Sequence, residues 1–421
     1  MLSRIRARYG GAYHTYHALI YLSIVAAMAE LGYAVLNQSA IPPYVQEIGL
    51  TAHIGLIYAV FLTVETVFKS PMGHLGDRFG RRPLIVCGAL ISCCTAFLTT
   101  IAKTLGFLLI LRALDGLACA AIWPTLIAAM GGSVGTERRT TAMSALTVVY
   151  IGAVSIGPLI GGFANDATHS RLTSFYIVSG LFLITALVAY LLTAHRSLEE
   201  VEAHAQEERT PRFSDVLTGV KAVPDMMLLA FMAFFAIGLL IPIVKLFAMN
   251  ELGMSETGFG GLILPVAVAV AGMSVFAGRL GDRWGKVRSV RLGIAISALA
   301  MWMICFTRTP WHLAAAGAIL GIGFVIAMPA WLAVVNDMAA PWIRGAVIGA
   351  IGTAQGIGAV IGAAIGSHLY ESAKLAFLGM NFSPHYSPFA VSALALTACF
   401  VLVMAFMRHG DTRRIGFAAP G

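Results

Sequence analysis

The sequence predicts an all-α membrane protein whose twelve transmembrane helices form two pseudo-symmetric six-helix bundles. Three observations support this fold class. Apolar residues make up 58% of the 421 residues and charged residues only 11%, against about 25% charged residues in a soluble protein. Twelve apolar stretches are long enough to cross a bilayer, and one ten-residue motif occurs twice, 205 positions apart.

The transmembrane helices are predicted from the apolar stretches, because a helix needs about 20 mostly apolar residues to cross about 30 Å of hydrocarbon. The first stretch is too long for a secretory signal and no small-residue cleavage site follows it, so it is interpreted as a retained helix. The predicted spans are residues 17–46, 53–74, 83–102, 104–130, 140–163, 173–195, 225–249, 255–278, 288–307, 311–336, 345–367 and 387–407.

The distribution of Lys and Arg predicts the orientation in the membrane. If both termini are cytoplasmic, 21 of the 28 Lys and Arg residues fall in cytoplasmic segments or at the cytoplasmic end of a span, as the positive-inside rule requires. The net charge of +8 then reflects topology and attraction to anionic lipid, not a nucleic-acid surface. We expect a multi-pass protein of the bacterial inner membrane. All six cysteines lie in apolar spans, so neither a disulfide framework nor a metal site is expected.

The repeated motif divides the chain into two homologous halves. GHLGDRFGRR at residues 73–82 returns as GRLGDRWGKV at 278–287, and other matches keep the same offset over about ninety residues without a gap. The predicted domains are an N-terminal bundle at 1–195, a cytoplasmic linker at 196–224 and a C-terminal bundle at 225–421. Parallel six-helix repeats around a mid-membrane site are typical of secondary transporters that work by alternating access.

Three motifs resemble those of the major facilitator superfamily, and the resemblance covers essentially the whole chain. The repeated decapeptide resembles the family's signature between helices 2 and 3, and LLILRALDGLACAA at 108–121 resembles its helix 4 motif. GAVSIGPLIGGF at 152–163 resembles the Gly-Pro motif of the 12-helix drug:proton antiporters. This chain departs from the family at Asp115, where Gln or a similar residue is usual, and at Ala153, where Gly is expected.

The resemblance implies a cytoplasmic gate in which Asp77 contacts the start of helix 11 near Arg344 and Gly345. A carboxylate is stabilised at the N-terminus of a helix, and the glycines let helix 2 end closely against a neighbouring helix. An alternative is that the motif is only a positively charged turn. The predicted gating residues are Gly73, Gly76, Asp77, Arg78, Gly80 and Arg81, with Asp282 and Arg283 in the second copy.

The Gly-Pro motif predicts a hinge and seal between the two halves. Small residues at helical spacing let two backbones approach, and proline removes one helical hydrogen bond. Close packing alone would explain the glycines. The hinge residues are Gly157, Pro158, Gly161 and Gly162.

Charges inside the predicted spans are the most informative residues, because an ionised side chain at mid-bilayer costs about 2.5 to 3.5 kcal/mol on insertion scales. Glu30, Glu65 and Asp115 share a depth of roughly 17 to 20 Å. Arg112 lies one turn from Asp115, and Lys69 one turn from Glu65. The equivalent positions in the second half carry no charge; they are Phe235, Val270, Leu320, Gly317 and Ser274.

This asymmetry leads to the hypothesis that the N-terminal half carries proton coupling through Glu30, Asp115, Arg112 and Glu65, whereas both halves contact substrate. Glu65 and Lys69 also suit a purely structural pair. Lys245 is expected to be the sole buried charge of the second half, either as an anchor at the interface or as a site for an anionic headgroup. The predicted substrate cavity comprises Tyr33, Tyr58, Phe61, Trp123, Tyr150, Phe234, Lys245 and Trp331.

The function predicted from these features is proton-coupled export of hydrophobic or amphipathic small molecules by a monomer. No cofactor is needed, since the proton gradient supplies the energy. The expected partners are protons, the substrate and membrane lipids. A carrier of lysolipids, glycolipids or another amphipathic metabolite is the alternative within transport, and a non-transporting receptor lies outside it. An enzyme is not expected, because the sequence shows no nucleophile with a base, no metal-ligand cluster and no phosphate-binding glycine loop.

Overall fold

The computed structural model describes residues 20–132, 139–192, 223–338, 344–372, 375–377, 380–382 and 384–407. The six helices of the first half correspond to the first six predicted spans. They are α1 (Ile20–Glu47), α2 (Ile54–Phe79), α3 (Arg81–Thr99), α4 (Leu105–Gly132), α5 (Arg139–Thr168) and α6 (Thr173–Leu192).

The second half contains seven helices in its described part, because the seventh predicted span is divided. The turn between α7 and α8 contains Pro242, which has no backbone N–H to continue a helical ladder. The helices are α7 (Pro224–Gly238), α8 (Val244–Asn250), α9 (Glu256–Trp284), α10 (Lys286–Cys305), α11 (Pro310–Met338), α12 (Arg344–Ser372) and α13 (Ser387–Phe406).

The helices bear out the predicted all-α membrane fold. Eleven helices in the described residues are long and apolar enough to cross a membrane, and α7 is a shorter apolar helix. The one departure is a small antiparallel hairpin after α12, in which β1 (Leu375–Phe377) pairs with β2 (Met380–Phe382).

Each copy of the repeated motif is a helix end followed by a one-residue turn, which corrects the predicted boundaries. We expected the second and eighth spans to end at residues 74 and 278, whereas α2 continues to Phe79 and α9 to Trp284. The turns are made by Gly80 (φ 88°) and Gly285 (φ 91°). Glycine adopts these positive φ values readily, so the chain reverses there and not at the earlier glycines.

Two compact units are present, one containing the described residues of 1–44 and 63–209 and the other those of 45–62 and 210–421. In the first unit α1 packs on α5, and α3 packs on α4 and α6. In the second unit α7 packs on α12, and α10 packs on α11 and α13. The same pairing therefore occurs in both units. Residues 45–62 group with the second unit. The linker residues 196–222 lie outside the described residues. The predicted domain bounds therefore stay a prediction.

Glycines make the contact between α1 and α5 unusually close. A Cβ atom added to Gly157 would lie 2.6 Å from the Cβ of Ala34, and one added to Gly161 would lie 2.5 Å from the Cβ of Ser39. The repeat equivalent of Gly157 is Gly362 on α12, where an added Cβ would overlap the carbonyl oxygen of Phe235 on α7. Two of the predicted hinge glycines thus serve packing within a unit, and the hinge role of the motif stays a prediction.

A π-helical stretch interrupts α1 at Val35–Ala40. It precedes Pro42 and Pro43, which supply no backbone N–H to the carbonyls one turn earlier. The N–H of Ile41 instead donates to the carbonyl of Leu36, five residues back. A π-helical stretch changes the directions in which the following side chains point, and such stretches are frequent at functional sites.

Candidate functional site

Arg112 and Asp115 form an ion pair in the middle of α4. The Arg112 Nη1 to Asp115 Oδ2 distance is 2.7 Å. The two residues are 2% and 1% exposed. The spacing of three residues places both side chains on one face of the helix, so the contact expected between them forms.

Neutral polar groups from two other helices complete the surroundings of this pair. Ser92 on α3 donates to Asp115 Oδ1 at 2.7 Å and shares a hydrogen bond of 2.9 Å with the hydroxyl of Tyr33 on α1. Arg112 Nη2 donates to Asn37 Oδ1 at 2.6 Å. We call these groups the Arg112 network; its members are Tyr33, Asn37, Ser92, Thr95, Arg112 and Asp115. Hydrogen bonds of this kind offset the desolvation of a buried ion pair.

The network includes three polar residues that the sequence analysis missed, namely Asn37, Ser92 and Thr95. Asn37 lies in the π-helical stretch of α1, whose altered winding cannot be inferred from helical periodicity. Thr95 lies one turn after Ser92 on α3, and its hydroxyl is 3.5 Å from Asp115 Oδ1. A search for Asn, Ser and Thr at the depth of the buried charges could have found all three.

Tyr33, which we expected to line a substrate cavity, is a member of this network. It is 4% exposed, and its ring packs edge-on against Phe182, with 4.8 Å between centroids. Its position indicates support of the buried ion pair.

Glu30 and Glu65 lie near the same network within the first unit. Glu30 is 6% exposed. Its carboxylate lies near the side chain of Trp123 and within electrostatic range of Glu65, which also acts on Asp115. The three carboxylates predicted to share one depth therefore belong to one neighbourhood. Trp123 in turn packs edge-on against Tyr150, with 5.9 Å between ring centroids.

The second expected pair, Lys69 and Glu65, is more exposed. The Nζ to Oε1 distance is 2.8 Å, and the side chains are 49% and 15% exposed. A pair of this kind stabilises a protein only weakly, by about 0 to 1 kcal/mol. Its structural role and a role of Glu65 in proton coupling both stay predictions.

The gating motif is described only in part. The side chains of Asp77, Asp282 and Arg344 and the surroundings of Gly345 fall outside what the structure describes, so the predicted gate stays a prediction. Arg81 is 4% exposed, and its Nη1 donates to the carbonyl oxygen of Ala128 on α4 at 3.0 Å. This contact fixes the turn at Gly80 against the first unit. Arg78 and Arg283 are exposed.

Lys245 has a buried partner, which corrects one prediction. It was expected to be the sole buried charge of the second half, but its Nζ lies 2.7 Å from Glu256 Oε2, and the two side chains are 2% and 5% exposed. The sequence analysis missed Glu256, although this residue lies at the start of the eighth predicted span, 255–278. A lysine neutralised in this way is neither an exposed anchor at the interface nor an open site for an anionic headgroup.

A cavity of about 410 Å³ lies inside the second unit, and we call it the C-terminal cavity. Phe234 and Trp331, two residues predicted to contact substrate, line it together with Phe324. Tyr58 and Phe61, also predicted to contact substrate, are 2% and 6% exposed in the segment 45–62 of the same unit. In the described part of the chain, no group of three or more His, Cys, Asp or Glu residues is arranged to hold a metal ion.

The sequence was compared with models of known protein families. The model of the Major Facilitator Superfamily matches residues 22–224 and 226–419. The chain belongs to the Major Facilitator Superfamily. The membership expected from its three motifs is confirmed, and the chain is an integral, multi-pass membrane transporter and not an enzyme.

Relatives within this superfamily share about a quarter of the residues. The multidrug resistance protein MdtG of Enterobacter lignolyticus is 28% identical over 340 residues, which covers 78% of this chain and 79% of that protein. MdtG of Citrobacter koseri is 26% identical over 343 residues, covering 79% and 83%.

Solved structures of the superfamily show the same fold. The nucleoside transporter NupG superposes with a TM-score of 0.73 at 14% identity, covering 93% of this chain and 99% of that one. A bacterial homolog of the human lysosomal transporter Spinster superposes with a TM-score of 0.70 at 16% identity, covering 93% and 95%.

Proposed function

We propose that this transporter is a proton-coupled antiporter that exports hydrophobic or amphipathic small molecules. The observation that carries the proposal is the placement of three carboxylates, Glu30, Glu65 and Asp115, in one buried neighbourhood of the first unit. The second unit repeats the helices but has Phe235, Val270 and Leu320 at those positions. Because the second unit folds without these charges, fold stability does not account for them.

Asp115 and Glu30 differ in their partners, which suggests different roles. Asp115 is held by the guanidinium of Arg112 and by hydroxyl donors. In the described part of the chain, the groups acting on Glu30 include the Trp123 side chain and the Glu65 carboxylate, and neither is a cation. A carboxyl group kept from water beside a second carboxylate can bind and release a proton when water access changes. Glu30 is therefore the proposed proton-binding residue.

Transport is coupled to the proton gradient if the transporter binds the proton and the substrate in turn. A proton that enters from outside neutralises Glu30 and favours release of substrate, and its loss to the cytoplasm restores the charged site. Alternating access of the two halves is the usual mode of such repeats. The proton gradient is then the energy source, and no cofactor takes part. The partners are protons, a small substrate and membrane lipids, and the chain works as a monomer in the bacterial inner membrane with both termini cytoplasmic.

Drug-like compounds are the proposed substrates. The relatives at 26% and 28% identity are named multidrug resistance proteins, and aromatic residues adjoin both Glu30 and the C-terminal cavity. The alternative of a lipid carrier was supported by the broadly apolar helices and, for an anionic headgroup, by Lys245. Since Lys245 pairs with Glu256 at 2.7 Å, that support is lost.

The direct test is Glu30→Gln in proteoliposomes with an imposed pH gradient and ethidium as the substrate. We expect loss of most gradient-driven accumulation, while exchange of substrate without a gradient continues. Glu371→Gln is the matched control, because Glu371 is exposed at the end of α12 and undergoes the same chemical change. An unchanged pH dependence in Glu30→Gln would remove Glu30 from the mechanism.

The gate is tested separately from proton coupling. Asp77→Asn removes the charge that would contact a helix N-terminus and should abolish transport while expression and substrate binding are retained. His74→Asn, which alters a neighbouring residue of the same motif without removing a carboxylate, is the control. If Asp77→Asn transports substrate as the wild-type protein does, the gate is wrong and the motif is only a positively charged turn.

A further inference from the structure

The C-terminal cavity occupies the place in the second unit that the Arg112 network occupies in the first. Among its lining residues are Val270, Gly317 and Leu320, which are the repeat equivalents of Glu65, Arg112 and Asp115. Ser297 also lines it and is equivalent to Ser92. The two units therefore differ at equivalent positions. The first unit has an ion pair there, and the second unit has an unfilled volume.

Gly317 is the main cause of the empty volume. In the first unit the long side chain of Arg112 fills the space beside α1 and reaches Asn37. Gly317 has no side chain, and a Cβ added there would find its nearest neighbour, a methyl carbon of Val266, at 4.0 Å. The lining of the cavity is almost entirely apolar, so it offers few hydrogen-bond partners to water or to a polar ligand. Such a volume is suited to an apolar ligand.

The lining determines which chemistry the cavity can accept. Its walls carry the rings of Phe234, Phe324 and Trp331, and its polar side chains are Ser297 and Gln355. No lining residue is charged, so an ion would lose its hydration without gaining a counter-ion. A volume of about 410 Å³ lies in the range of roughly 300 to 1,000 Å³ found for small-molecule sites. An uncharged, ring-sized group fits both conditions.

We propose that the C-terminal cavity binds the uncharged aromatic or alicyclic portion of a transported compound. This proposal rests on the proposed export of amphipathic molecules and adds to it a subsite and a substrate class. Selectivity for the apolar portion comes from the second unit, and Glu30, near the Arg112 network, supplies the response to protons in the first. A lipid acyl chain has the same apolar chemistry, so the test must separate the two sources.

The binding test uses Trp331 as an internal reporter. Trp331 is 7% exposed and lines the cavity, so a heavy-atom quencher can reach its ring by entering the cavity. The protein in nanodiscs, with Trp331 as its single tryptophan, is titrated with 1-bromonaphthalene. A second protein keeps only Trp302, which does not line the cavity and donates a hydrogen bond to Thr397 at 3.1 Å. We expect saturable quenching of Trp331 and only linear quenching of Trp302.

A matched pair of substitutions on α11 locates the effect. Gly317→Leu places a side chain in the cavity, whereas Ala315→Leu adds a similar side chain at an exposed position two residues away. We expect the 1-bromonaphthalene concentration at half-saturation to rise at least about tenfold in Gly317→Leu and to stay unchanged in Ala315→Leu. Ala233→Leu, on the α7 wall of the cavity, replaces Gly317→Leu if that variant does not fold.

Three outcomes overturn the proposal. Linear quenching of Trp331 at all concentrations shows that nothing binds, and equal saturation in Gly317→Leu and Ala315→Leu places binding elsewhere. Saturable quenching of Trp331 by phospholipids with brominated acyl chains, without added compound, assigns the cavity to lipid. Ethidium export by the wild-type protein is measured alongside. If export occurs without saturable quenching, this subsite is wrong and the proposed function stands; if export is absent, the proposed function fails independently.

Discussion

Lys245 and Glu256 form a buried ion pair between α8 and the start of α9, with 2.7 Å between Nζ and Oε2. The two residues are eleven positions apart across a turn, so the pair connects the broken seventh span to the next helix. It lies in the unit that lacks the Arg112 network, so each unit contains a buried ion pair.

Breaking this pair should destabilise the protein. Glu256→Gln leaves the Lys245 ammonium buried without its carboxylate, which costs about 3 to 5 kcal/mol. Combining it with Lys245→Met should recover much of the loss, because no charge then stays buried. The measurement is the free energy of unfolding, or the melting temperature, in one detergent. The control is Lys286→Ala, which breaks an exposed pair with Asp337 and should cost about 0 to 1 kcal/mol. Equal losses in the two single variants would contradict the buried pair.

The close approach of α1 and α5 can be tested on one helix. Gly157→Ala introduces a Cβ 2.6 Å from that of Ala34, and such overpacking typically costs about 1 to 3 kcal/mol. Gly152→Ala is the matched control, because no atom lies within 4 Å of an added Cβ there. We expect Gly152→Ala to be neutral or to stabilise α5 by up to about 1 kcal/mol. Thermal unfolding of both variants gives the comparison, and similar melting temperatures would rule out the packing argument.

The one-residue turns predict a second pair of glycine effects. Gly80 and Gly285 have φ near 90° and ψ of 150° and 143°, a region that side chains avoid at a cost of about 1 to 3 kcal/mol. Gly80→Ala and Gly285→Ala should each lower stability by that amount. Gly73→Ala, in the same motif but inside α2 with open space around an added Cβ, should not. A loss in Gly73→Ala equal to that in Gly80→Ala would mean that the motif glycines serve packing and not the turn.

The hydroxyl of Tyr33 should contribute modestly to the Arg112 network. Tyr33→Phe removes the 2.9 Å hydrogen bond to Ser92 but keeps the ring against Phe182. A single neutral hydrogen bond contributes about 0.5 to 1.5 kcal/mol, and Ser92 still donates to Asp115. Ser92→Ala removes a donor from the buried carboxylate and should cost more. Calorimetric or fluorescence melts of both variants test this order, and the reverse order would place Ser92 outside the network.

Part of the predicted group of buried charges could be inferred from the sequence, because spacing along one helix and depth in the membrane both follow from the chain alone. Arg112 and Asp115 pair since they lie three residues apart. The neutral partners Asn37 and Ser92 could not be predicted, because their approach depends on how α1, α3 and α4 pack and on the π-helical stretch of α1. Glu256 was missed for a similar reason, since its partner lies beyond a turn.

The sequence by itself determined the class of fold, the number of spans to within one broken helix, the duplication and the superfamily, because apolar length, charge placement and motif spacing are properties of the chain. Only the tertiary structure decided that Gly80 and Gly285 make the turns, that Lys245 pairs with Glu256, and that the second unit has a cavity at the positions where the first unit has the Arg112–Asp115 ion pair. These outcomes depend on backbone dihedral angles and on contacts between residues far apart in sequence. Such contacts arise when helices pack, and no local pattern of residues records them.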